Sequence, residues 1–421
     1  MQLLSFPTSD LPVGLKLGST VYDARQIKLL AAGVEITRPL IEGLQRRRIA
    51  SVMVSPADVG RMLAFKPQGT AKNVAADRRA APCPYESEQT RAHDEGLELF
   101  LTASAQRTGP EFRDQLPRPG AVAYAPELMG QAADSHEKQI EELGEIARNI
   151  SRGGGEEVGA VEEATRDLLS SSRDDIDLFV NLGGTPSGGG YPTRHSRHAA
   201  MIATAVGAEM GLDGEQLHHL ALGCLLHDLG MLALDPRLVK SQRYLADEEF
   251  VEIMRHPIRT FDALAKHLDR VPPAARMVAY QMHERFDGSG YPRRRAGAQI
   301  HLFARIAAIA DTYVALVAPR PHRSGLLPYW AATKLVKDTA AGKFDPTITR
   351  AFLRAVCLFP IGSYIELSGD RVARVLRGNP HAYDRPIVEL WNKGAVDRDP
   401  GIADLSQDQG LKVLQPLERL A

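Results

Sequence analysis

Apolar and polar positions along the chain change their period three times. In residues 1–57 they fall in short runs broken by glycine. Residues 14–22, 28–36 and 50–54 read as strands on this pattern. Thr37 and Pro39 mark a helix start, a hydroxyl N-cap with proline close behind, and Leu40, Ile41 and Leu44 continue it as an apolar stripe. From 58 to 126 the period is lost. Pro67, Pro82, Pro84, Pro110, Pro117 and Pro119 interrupt it, which predicts a linker or insertion carrying a helix near 97–104. From 127 the period is helical. Helices are predicted over 136–150, 156–169 and 174–182, with a glycine break at 153–155 and a glycine-rich loop at 183–190. Further helices, one over 215–234, run to about 356. Beyond Phe359 and Pro360 the pattern is β again. Strands at 363–368 and 371–377 are joined by Gly369 and Asp370 as a hairpin turn, and a third covers 386–391. No repeat of 20–50 residues is visible. The expectation is a mainly α chain: a helical domain at 127–358 between a small N-terminal α/β module at 1–57 and a small C-terminal β module at 359–421.

Composition narrows the function classes. The 421 residues are 44% hydrophobic and 24% charged, an ordinary globular balance. Lys and Arg total 51 against 52 Asp and Glu, which argues against a dedicated nucleic-acid binder, whose affinity comes largely from basic contacts to phosphate. Cys83, Cys224 and Cys357 lie far apart with no CxxC pair, so neither a disulfide framework nor a thiolate zinc site is expected. The first basic residue is Lys16, unlike the charged start of a signal peptide. No apolar run approaches the ~18–20 residues that span a bilayer. A cytoplasmic protein without a membrane partner is the expectation. Ten of the 13 histidines fall between His195 and His322, and crowding of that kind points to metal or acid–base chemistry.

Two stretches sharpen this. His227 and Asp228 interrupt the apolar run 220–232, and Asp311 interrupts 306–317. Buried there, such groups carry a large desolvation penalty unless they are paired or bound to metal. His195, the His227-Asp228 pair, His256, His283 and Asp311 are separated by 32, 28, 27 and 28 residues. Each interval suits one helix and a connection at ~1.5 Å rise per residue. Ligands from successive helices of a bundle can converge on one interior point. Imidazole and carboxylate without thiolate favour a divalent ion such as Mn, Fe, Co or Zn. An aspartate beside a histidine ligand can bridge two metals, an arrangement that generates a hydroxide and clamps a phosphoryl group.

The HD dipeptide at 227–228, His256-Pro257 and the run HERFDGSGYP at 283–292 resemble the HD-GYP subgroup of the HD metal-dependent phosphohydrolases. His195-Ser196 upstream, and Ala310-Asp311 with Arg320-Pro321 downstream, belong to the same likeness, which covers about 185–356. The flanking modules resemble accessory segments often attached to this domain. The resemblance implies a helical bundle that opens cyclic di-GMP to the linear dinucleotide or GMP with two divalent ions, Fe or Mn. His195, His227, Asp228 and Asp311 would hold one ion. Asp228, His256 and His283 would hold the other, with His227 and Asp228 as the catalytic pair. Gly288, Gly290, Tyr291 and Pro292 would lie beside the substrate, and Arg320 and Arg323 would hold phosphate or base. Bacterial signalling partners and association as a homodimer are also implied.

The chain departs from the family at several positions. Met282 replaces the first of two histidines, and a thioether suits a hard cation poorly. Met231 replaces a lysine beside the phosphate, where positive charge stabilises the transition state. Val314 replaces an aspartate, His198 an arginine, and Tyr191 stands where some relatives carry a glutamate that recruits a third metal. Three readings stay open: hydrolysis with the remaining ligands, a module that binds nucleotide or partner without turnover, and hydrolysis of another phosphoester. His218, His219, His267, His301 and His381 read as structural, and for His322, where the family often has an aromatic, a structural and a pocket-lining role both stay open. The run Arg293–Arg295 reads as a basic edge able to concentrate an anionic dinucleotide. Asp345-Pro346 reads as a helix boundary.

Overall fold

The computed structural model describes residues 3–8, 11–23, 26–47, 49, 51–64, 87, 90–91, 94, 107–117, 124–153, 157–186, 189–241, 245–319, 325–379, 382–393, 401–408 and 410–417. The expected helix near 97–104 lies outside them, as do Arg320, Pro321, His322, Arg323 and His381.

The N-terminal module is a four-stranded antiparallel sheet ordered β1-β4-β2-β3, formed by β1 (Leu4–Pro7), β2 (Val21–Tyr22), β3 (Lys28–Leu30) and β4 (Ser51–Val54). Helix α1 (Arg38–Arg46) joins β3 to β4, and α2 (Pro56–Ala64) follows directly. The two expected long strands are thus shorter: their ends meet through a lone Lys16–Glu35 bridge, and glycine turns at Gly14 and Gly33 break the ladder. The buried carboxylate of Asp58 fastens α2 to the sheet, accepting from the Gly18 and Ser19 N–H groups at 2.8 Å each.

A helical bundle makes up most of the chain. It comprises α3 (Pro126–Ser151), α4 (Glu157–Asp174), α5 (Ile176–Gly184), α6 (Thr193–Glu209) and α7 (Gly214–Leu226). The short α8 (Pro236–Val239) and α9 (Asp247–Ile253) lead to α10 (His256–Leu264) and α11 (Pro273–Gln281). Helices α12 (Leu302–Val317), α13 (Pro328–Ala340) and α14 (Pro346–Val356) complete it. Helix α6 is buried from His195 to Ala208, and its run of alanines lets α7 and α12 approach it closely. Buried along this whole length, α6 is a core helix. Asp213 and Gln216 form a reciprocal capping box that starts α7, with N–H to side-chain oxygen distances of 2.9 and 3.1 Å.

The C-terminal module is a five-stranded antiparallel sheet ordered β8-β7-β6-β5-β9. Its strands are β5 (Tyr364–Leu367), β6 (Arg371–Arg377), β7 (Ile387–Asn392), β8 (Gly401–Asp404) and β9 (Val413–Leu417). Leu367 pairs with Arg371, so residues 368–370 form the hairpin loop, with left-handed backbone at Gly369 and Asp370 (φ 74° and 56°). The strands at 401–404 and 413–417 were not anticipated, because neither alternates cleanly enough to be read as β. Among the described residues no helix is long and apolar enough to cross a membrane.

Candidate functional site

The expected helix over 215–234 ends sooner. Helix α7 stops at Leu226, His227 caps it, and Leu229–Ala233 continue as a tight 3-10 turn. The chain bends here because the start of α10 packs against it. A Cβ on Gly230 would lie 2.0 Å from the carbonyl oxygen of His256, so only glycine fits this approach. The Thr260 hydroxyl, one turn into α10, accepts from the Gly230 N–H at 3.0 Å and donates to the His227 carbonyl at 2.8 Å. The bend places His227 and Asp228 at the mouth of the bundle interior, facing His256.

Six side chains from α6, this bend, the start of α10, the end of α11 and the middle of α12 converge. His195 Nε2 lies 2.7 Å from Asp311 Oδ1, and His283 Nδ1 lies 3.5 Å from Asp311 Oδ2. Asp228 Oδ1 is 3.3 Å from Nε2 of both His227 and His256. Donor atoms within 4.8 Å of one another form three overlapping groups: His195, His227 and Asp228; His227, His283 and Asp311; and Asp228, His256 and His283. All six residues are buried.

Backbone carbonyls orient two of the rings. His227 Nδ1 lies 2.7 Å from the Cys224 carbonyl and His256 Nδ1 lies 2.7 Å from the Ile253 carbonyl. A carbonyl only accepts, so each Nδ1 carries a hydrogen and each Nε2 is turned to the cluster. The Nε2 atoms of His227, His256 and His283 and the Nδ1 of His195 are buried without a well-formed hydrogen bond. Four orphaned nitrogens around two carboxylates are costly in a protein interior, and a divalent cation would satisfy them. The donor set fits one.

The local fields agree with that fit. Burial pushes the Asp228 carboxyl up, but the facing His227, which also hydrogen-bonds to it, outweighs burial and holds the group well below the usual carboxylate range. Asp311 is held low in the same way, by His283 and by its bond to His195. Burial alone would lower His227, yet the adjacent Asp228 raises it to about 9. Burial holds His256 below its ordinary value and His283 well below. These last two rings are therefore neutral, the state in which imidazole binds metal.

The run after His283 folds back on it. Tyr291 stacks on the His283 ring, with centroids 5.0 Å apart and planes 12° from parallel, and its N–H donates to the His283 carbonyl at 3.2 Å. Glu284, 1% exposed, accepts from the backbone N–H groups of Arg293 at 2.8 Å and Arg295 at 3.1 Å. Burial pushes its carboxyl up to about 7 against the pull of those bonds. Gly290 crosses the backbone of Glu284 and Arg285, where a Cβ would meet Glu284 Cα at 2.4 Å, and Gly288 is left-handed at φ 77°. Gly288, Gly290, Tyr291 and Pro292 therefore form a tight loop beside the cluster.

The remaining positions sort clearly. Met282 is fully buried in the hydrophobic core, as is Val314, and Met231 lies buried beside Asp228. His198 hydrogen-bonds instead to α3. Arg197 Nε donates to His136 Nδ1 at 3.2 Å, so His136 Nε2 holds the hydrogen that His198 Nε2 accepts at 3.2 Å, and His198 Nδ1 donates to the Gly183 carbonyl at 2.9 Å. The Tyr191 ring lies 5.9 Å from that of His195. His301 caps α12 and Asp345 caps α14. Arg293 and Arg295 do not form an open basic edge: Asp94 binds both. Residue chemistry marked the six cluster residues in advance. It did not mark Thr260, His136 or Asp94, whose partners are remote in sequence and unmarked by any local motif.

Residues 189–348 match the HD domain family. Over 203 residues the chain is 30% identical to the cyclic di-GMP phosphodiesterase PA4108 of Pseudomonas aeruginosa, covering 48% of each protein. It is 31% identical over 197 residues to the cyclic di-GMP phosphodiesterase response regulator RpfG of Xanthomonas campestris pv. campestris, covering 46% of this chain and 49% of that one. A match at 29% identity links it to 3'3'-cGAMP-specific phosphodiesterase 3 of Vibrio cholerae serotype O1, over 40% of this chain and 36% of that protein. The chain spans about half the length of the first two of these relatives.

Proposed function

We propose that this chain, whose residues 189–348 match the HD domain family, is a metal-dependent phosphodiesterase of the HD-GYP kind acting on cyclic di-GMP to give the linear dinucleotide or GMP. The observation that carries the reading is the buried cluster of His195, His227, Asp228, His256, His283 and Asp311 with its orphaned ring nitrogens. His195, His227, Asp228 and Asp311 would hold one ion; Asp228, His256 and His283 would hold a second, with Asp228 shared. Bound there, two Fe or Mn ions would supply water activation and charge neutralisation at the phosphodiester. The chain's own residues do the rest. Cys224 and Ile253 carbonyls fix the tautomers of His227 and His256, Thr260 keeps those two rings in register, and the Tyr291 ring walls one side where a base can stack. Gly288, Gly290 and Pro292 shape that wall, and Arg320 and Arg323 complete the proposal as phosphate or base contacts.

A second reading has its own support. Met231, Met282 and Val314 put apolar side chains where the family carries a lysine, a histidine and an aspartate, and all three are buried. A site built this way could bind a cyclic dinucleotide, cyclic di-GMP or cGAMP, without opening it. Metal analysis of purified protein with turnover of cyclic di-GMP in Mn²⁺ or Fe²⁺ separates the two. The hydrolase reading expects bound metal and linear product; two bound metals with tight nucleotide binding and no product would replace it with the second.

A further inference from the structure

We propose that Asp94, in the segment joining the N-terminal module to the bundle, is a positioning residue that holds the loop carrying His283 and Tyr291. Ser87 and Thr90 form a reciprocal side-chain to backbone pair at 3.0 and 3.3 Å, the signature of a helix start, and residues 90, 91 and 94 are helical. This turn delivers the Asp94 carboxylate to three groups. Tyr280 Oη, near the end of α11, donates to Oδ2 at 3.0 Å; Arg293 Nε donates to the same oxygen at 2.9 Å; and Arg295 Nη2 binds Oδ1. The two arginines are only 17% and 11% exposed.

These contacts close a triangle around the candidate site. Helix α11 runs through Tyr280 into His283, and the loop leaves His283, passes Tyr291 and returns at 293–295. The backbone of that return is tied inward to Glu284, next to His283, while its side chains are tied outward to Asp94. Asp94 thus grips both the entering helix and the returning strand of this loop. Two partly buried cations share its charge, and neutralising it weakens the tie of the return segment to the entering helix. The geometry couples the segment after the N-terminal module to the wall of the site.

The test is peptide-level hydrogen exchange over 288–296 in the full chain, whose Arg293 and Arg295 N–H groups report the loop directly. Asp94→Asn, isosteric but neutral, is expected to speed exchange there by ~10-fold or more. Asp94→Glu should return it to within ~3-fold of wild type, a rescue that a general packing role would not give, and Tyr280→Phe should shift it the same way by a smaller factor. A second arm, which rests on the hydrolase reading, measures cyclic di-GMP turnover in Mn²⁺: Asp94→Asn should raise KM ~10-fold with kcat and metal content close to wild type. Exchange unchanged in Asp94→Asn, or as fast in Asp94→Glu as in Asp94→Asn, overturns the inference. A wild-type chain without turnover counts against the hydrolase reading alone, and faster exchange in Asp94→Asn would still support the role of Asp94.

Discussion

The two halves of the cluster are built differently. Asp311 stands in the middle of α12 and is bonded at 2.7 Å to His195, in the first turn of α6, a helix buried from that residue to Ala208. His256 and His283 stand at element ends, one opening α10 and the other starting a glycine-rich loop. The first half inherits its precision from core packing. The second depends on individual ties: Thr260 to the bend, Glu284 to the returning strand, Tyr291 over the ring, and Asp94 behind them. It is also on this second half that the chain departs from the HD-GYP pattern it resembles, at Met282. Function that rests on loops is more easily lost and more easily regulated than function that rests on core helices.

Asp228 joins the halves, so changing it gives the largest effect. Asp228→Ala should empty both metal positions and lower kcat/KM by more than ~100-fold, beyond what loss of an outer-layer partner costs, and metal analysis with turnover checks it. If the departures limit the second half, Met231→Lys with Met282→His should raise turnover by ~10-fold or more, because a cation beside developing phosphate charge is a major source of rate. No gain in kcat would show that the weaker half is not limiting. Thr260→Val removes one hydroxyl that bonds the Gly230 N–H and the His227 carbonyl. It should cost ~1–3 kcal/mol in urea unfolding of the metal-free protein, with α10 loosened first.

The smallest effect is one of pH. In the metal-free state His227 keeps its proton up to about 9, because Asp228 faces it. That raised value contributes stability that is complete below the ordinary histidine value near 6.5 and is lost as pH rises through about 9. Metal must displace the proton, so Mn²⁺ should bind more tightly at pH 8 than at pH 6, as titration calorimetry would register.

Sequence and structure meet most closely where chemistry and burial conflict. A histidine or aspartate inside an apolar run stands out, and intervals near 28 residues match one helix and a turn, so the six cluster residues could be named in advance. The bend after Leu226 could not. Of the two glycines in the run 220–234, Gly223 stays inside α7 and Gly230 marks the bend, and the role of Gly230 depends on a backbone carbonyl 26 residues later. The arginines at 293–295 were misplaced for the same reason: a basic run looks solvated until the acid that neutralises it is known, and Asp94 lies 186 residues before Tyr280. Likewise His198 reads as a lost arginine until His136 supplies its partner. Local pattern reports what a side chain needs; it does not report which distant group meets the need.

Two ions sharing Asp228 can be counted by metal stoichiometry across three proteins. With the full chain loaded in Mn²⁺ and desalted, two ions are expected per wild-type chain, one in His256→Ala with the His195–Asp311 half still filled, and none in Asp228→Ala. A wild-type chain that retains no metal, or an Asp228→Ala chain that retains as much as wild type, would contradict a shared two-ion site.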